Sequence, residues 1–415
     1  MRVCATLPPR GRDLRLDLFR GLANWAIFLD HIPHEVMNAI TTRNYGFSDA
    51  ADLFVFISGY TAACVFGRIM IEQGYVAAAS RLVKRTFKLY AAHIIVLAIY
   101  IVTVGYVSRG LHDPDDLSQF NVAVFMSKPS WEFIKALILR YKPVNLDVLP
   151  LYILLLGTFA PALWLMVRKP TLTLAGSMAV YLAARHFGWN LPGSPSGLWY
   201  FNPFAWQFLF VQGAWIAVGG AQAIQSVIRT RTVFCLAIAY IIFAFVVTMA
   251  THGPALGNLL PHWILQPFDP NDKNLAPYRV VHLMALAVVV TRFLAADSPI
   301  LQWRALAPLI KCGQNSLQVF CIGIVLSFCA HAAIERSLNS LWVQIFVGVA
   351  GILFMTASAY MWSKRQHRVP LSRTRIRPMY RDMKSAEEKP MRVETDWHNK
   401  PGQALPGRIF RGGIA

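Results

Sequence analysis

Stretches of about twenty apolar residues recur between Leu18 and Trp362, separated by short polar segments. A chain built this way can satisfy its own backbone only as helices that cross a bilayer. A hydrocarbon layer of ~30 Å takes about 20 residues at 1.5 Å rise. Reading at that length gives ten spans, near 18–40, 52–72, 87–107, 147–167, 171–187, 204–225, 232–250, 279–296, 314–334 and 341–362. The expectation is an all-α, polytopic integral membrane protein, with a cytoplasmic segment 1–17, a transmembrane domain 18–362 and a basic tail 363–415. Composition agrees, with 55% hydrophobic and 15% charged residues. The opening residues are basic and proline-containing, and the first apolar stretch lacks a small-residue cleavage site, so no cleaved signal peptide is expected.

Lysine and arginine set the orientation, because short cytoplasmic loops are enriched in them. With the N-terminus inside, the other inner segments hold Arg68, Arg81, Lys84, Arg85 and Lys88, then Arg168 and Lys169, Arg229 and Arg231, and Arg304 and Lys311. The outer loops 41–51, 186–203, 251–278 and 335–340 hold only Arg43, Lys273 and Arg336, while 108–146 mixes both signs. Both termini are therefore expected in the cytoplasm. The net charge of +19 follows largely from this asymmetry and from a tail with 13 Lys or Arg against 5 Asp or Glu. It suits anionic lipid headgroups and gives no reason to expect nucleic acid. The six cysteines map to spans or the inner side, away from an oxidising compartment, and the eleven histidines show no metal-ligand spacing, so no metal site is expected.

The first span is the unusual one. At about 100° per residue, Asp17, Arg20, Asn24 and His31 share one narrow helical face. Each ionisable group inside a span costs roughly 2.5–3.5 kcal/mol, so such a stripe must face protein or water and marks a functional site. His31 should sit ~20 Å above the start of the helix. Pro33, two residues on, should kink the helix there and free the carbonyl of Leu29. His31 is flanked by Asp30, His34 and Glu35, and an imidazole among carboxylates can act as a general base near neutral pH. Asp49 and Asp52, at the outer end of the second span, either orient that imidazole or serve as cap and first-turn carboxylates of their own helix.

These residues carry a resemblance. Arg20, ten intervening residues and His31, with the run from Phe54 to Tyr60 (Phe-Val-Phe-Ile-Ser-Gly-Tyr), resemble the signatures of the membrane acyltransferase-3 superfamily. The runs Gly46–Phe56, Asn202–Gln207, Leu275–His282 and Gly313–Phe320 are similar to those of its OpgC family, and the likeness covers about residues 12–365. Val55 stands where the wider superfamily has a second aromatic. The resemblance implies an O-acyltransferase of the bacterial inner membrane. It would move an acyl group, succinyl or acetyl, from cytoplasmic acyl-CoA to a hydroxyl of an extracytoplasmic carbohydrate such as periplasmic glucan, with His31 catalytic and Arg20 its paired arginine. No separate hydrolase domain is expected after the spans, so transfer would finish within the membrane domain.

On that reading, acyl-CoA is a co-substrate and no tightly bound cofactor is expected. Arg20 and Asn24, with Arg81, Lys84 and Arg85 at the inner surface, are the candidates for holding its phosphates and pantetheine arm. Lys88 shares that inner segment. Ser58, Tyr60, Asn202, Trp206, Gln207 and His282 are candidates for the oxyanion or the acceptor sugar. Trp199, Tyr200 and Phe201 are candidates for sugar stacking or an interface belt. The partners expected are the bilayer and a carbohydrate acceptor, with self-association left open. The alternative function is a transporter or flippase, which would also place polar residues in spans, although Pro33 has no counterpart in the second half to suggest paired broken helices.

Overall fold

In a computed structural model, the described residues are 5–9, 11–33, 35–111, 118, 120–195, 197–252, 265, 268 and 272–368. Residues 1–366 form one compact unit. The second, 367–415, lies outside the described residues except for the last two residues of a helix, and the expected tail lies there with it. His34 and most of the expected outer loop 251–278 are also outside them.

The fold is all-α. Helix α1 (Leu14–Asp30) starts four residues before Leu18 because the Asp13 carboxylate caps it, accepting from the Arg15 amide at 3.0 Å. Helices α2 (Ala50–Gln73) and α3 (Tyr75–Leu111) follow. The basic segment expected as an inner loop is therefore part of the α3 helix, with only Gly74, at φ 88°, turning the chain. Short helices α4 (Ala123–Ser127) and α5 (Pro129–Leu137) lead to α6 (Val148–Gly157) and α7 (Phe159–Arg168), which bend by 56°. Pro161 has no N–H to offer the carbonyl of Gly157, and the break falls there.

Helix α8 (Pro170–Phe187) is joined to α9 (Pro203–Trp215) through a small antiparallel hairpin pairing Pro192–Gly193 with Gly197–Leu198. Past Trp215 the chain passes a π-turn, with Gly219 at φ 110°, and stays helical to Ala223. Then come α10 (Arg231–His252), α11 (Pro277–Phe293), α12 (Ala307–Gln314), α13 (Ser316–Arg336) and α14 (Leu341–Arg368).

Six of these helices are long and apolar enough to cross a membrane: α2, α3, Pro203–Ala223, α10, α13 and α14, with the α6–α7 pair as a seventh. The other three expected spans are also helices, but α1 and α11 have 17 residues each and α8 has 18 with polar ends. The expected kink at Pro33 is replaced by a stop. Helix α1 ends at Asp30, and the Leu29 carbonyl that Pro33 cannot serve accepts from the Ile32 amide at 3.2 Å.

Close backbone approach at glycines ties the bundle together. A Cβ at Gly59 would fall on the Phe210 carbonyl and one at Gly213 on the Phe56 carbonyl, so α2 and α9 cross in contact. Gly21 against Leu309, and Gly313 against Asp17, do the same for α1 and α12. Around the first crossing lie Phe159, Phe208, Phe210 and Leu209, all buried, and Phe28 with Met355 fills the space between α1 and α14.

Candidate active site

The residues of the expected stripe are spread along α1, with His31 just past its last residue. Arg20 and His31 are eleven positions apart, about 16 Å at 1.5 Å per residue, so they stand in two separate surroundings along the helix.

At the lower end, Asp17 is buried and bound by Arg12, whose Nη2 reaches Oδ1 at 3.1 Å. Arg20 donates through Nη2 to the Thr61 hydroxyl of α2, which donates in turn to the Ile57 carbonyl at 2.9 Å. Its Nε is buried with no hydrogen-bond partner among the described residues. Arg20 and Arg85 line one narrow cavity of about 40 Å³, together with Ser58, Tyr152, Ser316 and Phe320. The positive charges of Arg20 and Arg85 oppose each other here unless an anion lies between them. One turn above Arg20, Asn24 is 2% exposed, and neither its amide oxygen nor its nitrogen has a hydrogen-bond partner among the described residues. Of the other cations expected here, Arg81 donates to Gln73 at 3.2 Å and Lys84 is exposed, neither of them lining the cavity.

At the upper end, His31 is the C-cap of α1. Its Nδ1 bonds the Ile27 carbonyl, an oxygen that can only accept, so Nδ1 carries the proton and Nε2 is the nitrogen free to take one. Of the two alternatives for Asp49 and Asp52, orienting the ring or capping their own helix, the second is what they do, and among the described residues a backbone carbonyl holds the ring. Asp30 accepts from the Thr41 hydroxyl at 2.6 Å. Asp49 and Asp52 form a capping box at the start of α2, and both are bound by Arg279 of α11. Arg279 Nη2 lies 2.9 Å from Asp49 and 2.8 Å from Asp52, and its Nε lies 3.2 Å from Asp52. The two carboxylates thus dock α11 on α2. Asp49 and Arg43 nevertheless lie within electrostatic reach of His31.

The residues proposed for oxyanion or sugar contact are scattered by the fold. Ser58 lines the lower cavity, and Tyr60 is on α2 near Cys64 and Arg15. Asn202 caps α9, accepting from the Phe204 amide and donating to the Trp189 carbonyl and the Asn274 side chain. Trp206 is buried beside Arg279 and donates to the Lys273 carbonyl at 3.2 Å. Gln207 is tied to Ser177 of α8. His282 Nδ1 accepts from the Ser48 amide at 3.2 Å and meets its hydroxyl at 2.7 Å. Asn202, Trp206 and Gln207 are committed to holding elements together, whereas His282 lines a separate cavity of about 410 Å³ and its Nε2 has no hydrogen-bond partner among the described residues.

Two site residues escaped the sequence reading. Asn145 donates to the His31 carbonyl at 3.2 Å. Lys142 is buried, 3.6 Å from Asp147, with its ammonium 3.7 Å from the centre of the Trp199 ring. Both lie in the mixed-charge segment, which has no periodicity to expose them. Arg279 was readable as an arginine inside an expected span, which needs a counter-ion. Among the described residues no cluster of His, Cys, Asp or Glu is arranged to hold a metal ion.

A family model described as "OpgC protein" matches residues 12–367. Neither the curated proteins nor the solved structures contain a match.

Proposed function

The chain belongs to the OpgC family, and from that premise we propose that it is an acyl-CoA-dependent O-acyltransferase whose donor arm rises along α1 from Arg20 to His31. The family supports an acyltransferase role in glucan modification. The finer reading is that a succinyl group, with acetyl as the alternative, passes from cytoplasmic acyl-CoA to a hydroxyl of an extracytoplasmic glycan. The enzyme would lie in the bacterial inner membrane with ten crossing helices and both termini in the cytoplasm.

The observation that carries this reading is a pair of arginines, Arg20 and Arg85, lining one cavity on the helix that ends in a histidine with a free Nε2. Arg85 and Arg20 would meet the anionic part of the donor, and Asn24 would offer its unused amide to the pantetheine chain. At about 40 Å³ the cavity holds water and not such an arm, so donor binding requires these helices to part. His31 Nε2 would take the proton of the attacking sugar hydroxyl. The hydroxyl oxygen then bonds to the thioester carbon, the carbon–sulfur bond breaks, and the CoA thiolate leaves with the proton returned by His31.

The test is His31→Ala, assayed in membrane vesicles by transfer of labelled acyl groups from acyl-CoA to glucan. Transfer is expected to fall by at least the 10²–10⁴-fold that a general base contributes, with the protein still folded in detergent. Undiminished transfer would remove His31 as the base. Wild-type protein that moves glucan across the membrane without acylating it would establish the transporter reading instead.

A further inference from the structure

The segment between α3 and α6 reads from the sequence as an outer loop with charges of both signs. Its helix α5 has the amphipathicity of a water-facing helix turned inside out. From Trp131 to Leu139 every exposed side chain is apolar: Trp131 is 59% exposed, Phe133 49%, Ile134 51%, Leu137 38% and Ile138 65%. The charged residues turn inward. Glu132, 2% exposed, accepts from Lys135 at 2.6 Å and from the Ser194 hydroxyl of the small hairpin at 2.9 Å. In water, the hydrophobic effect drives such a helix the other way round.

Two contacts, one from α4 and one from α5, place this pair of short helices along a membrane span. Met126 of α4 lies against Gly105 of α3, where an added Cβ would come within 2.6 Å of its methyl. The Tyr90 hydroxyl of α3 donates to the Leu137 carbonyl at 2.8 Å. Tyr90 and Gly105 are about 22 Å apart along α3, and both lie inside its candidate span Tyr75–Val107. Between these two anchors the chain therefore runs back beside the apolar stretch of α3, whose own Ile95, Ile99 and Val102 point outward.

We propose that α5 is a lipid-embedded element: its Trp131, Phe133, Ile134, Leu137 and Ile138 face seats in the acyl chains of the bilayer, beside α3. Lipid is the occupant because the apolar face borders a span and the charges are withdrawn from it. The chain that returns from α5 also meets the condition for non-helical backbone at membrane depth, which is burial in protein with its polar groups satisfied. The Arg140 and Tyr141 amides bond the Lys135 carbonyl, Lys142 bonds Ser194 and Val144 bonds Phe120. Arg140, exposed at the turn, needs its long stem to bring the guanidinium to headgroups or water. This returning strand is the one that holds Asn145 on the His31 carbonyl, so the bilayer would support one wall of the site. The inference rests on packing alone and stands apart from any acyl transfer.

The experiment uses the full chain with its native cysteines replaced by serine and one introduced at Phe133→Cys, Ile134→Cys or Ile138→Cys. Each variant is nitroxide-labelled and reconstituted in phosphatidylethanolamine and phosphatidylglycerol vesicles, with Val102→Cys on α3 as the lipid-facing reference. Relaxation by oxygen several-fold above relaxation by a water-soluble nickel chelate, as at Val102→Cys, is expected at all three positions. Dominant relaxation by nickel would put α5 in water, and protection from both would put protein, such as a second copy, on this face; either overturns the proposal. Should the cysteine-free background not fold, a photo-crosslinking phenylalanine analogue at 133 or 138 in the native background keeps the test open, with lipid adducts expected and protein adducts overturning it.

Discussion

His31 Nδ1 faces a carbonyl of its own helix, so the ring needs no carboxylate to fix its tautomer, and the nearby acids are free for structural work. Arg279 shows how much of that work is electrostatic. It is 4% exposed in its side chain and clamps two carboxylates, so Arg279→Met leaves both without their cation. Loss of about 3–5 kcal/mol is expected on removing one partner of a buried pair, read as lost yield and lower melting temperature in detergent. Pairing the substitution with Asp52→Asn should recover part of it, and no recovery would mean that Arg279 acts by packing. Glu35 is the opposite case. It is 2% exposed, one oxygen accepts from the Met37 amide and the other has no hydrogen-bond partner among the described residues. Burial pushes its carboxyl above the ordinary range. The folded protein holds that proton more tightly than the unfolded chain, so the wild type loses stability as pH rises past the shifted value. Glu35→Gln should therefore melt higher than wild type at pH 8 and equal to it near pH 4, and an equal difference at both pH values would contradict the unpaired-carboxylate account.

Among the elements, helix contact is decided by residues without side chains. Hydrophobic side chains cannot drive helices together within lipid as they do in water, so close backbone approach takes over. Gly59 and Gly213 let α2 and α9 touch, and Gly21 and Gly313 do so for α1 and α12. A methyl group at Gly59 has a carbonyl oxygen in its place, and overpacking of this kind typically costs about 1–3 kcal/mol. Gly59→Ala should lower thermal stability accordingly, whereas Gly176→Ala, in the middle of α8 with nothing within 4 Å of the added carbon, should leave it unchanged or raise it. Equal stability of the two variants would show that the α2–α9 crossing tolerates separation.

For the whole molecule, the proposed orientation predicts that a fluorescent protein that matures only in the cytoplasm will be bright when joined after Ala415 and dark when inserted at 188–191, and the reverse would invert the topology. An all-α membrane architecture and the family were legible in the chain, because apolar length and the Arg20–His31 spacing are local properties of sequence. Helix ends follow local devices at Asp13, Asp49 and Gly74, but apolar length alone started the first helix four residues late and read the beginning of α3 as a loop. The number of crossing helices was not legible, since α1, α8 and α11 are short and their burial depends on neighbours. Nor were the partners of the buried charges. Sequence periodicity tells which residues share a face; Asp49 and Arg279 are 230 positions apart, and only the packing of α11 on α2 brings them within 2.9 Å. The sequence alone determined the solvent this chain must fold in and the histidine set apart on its first helix. Tertiary structure alone decided which polar groups hold helices together, because a buried charge pairs with whatever counter-charge the packing brings within reach.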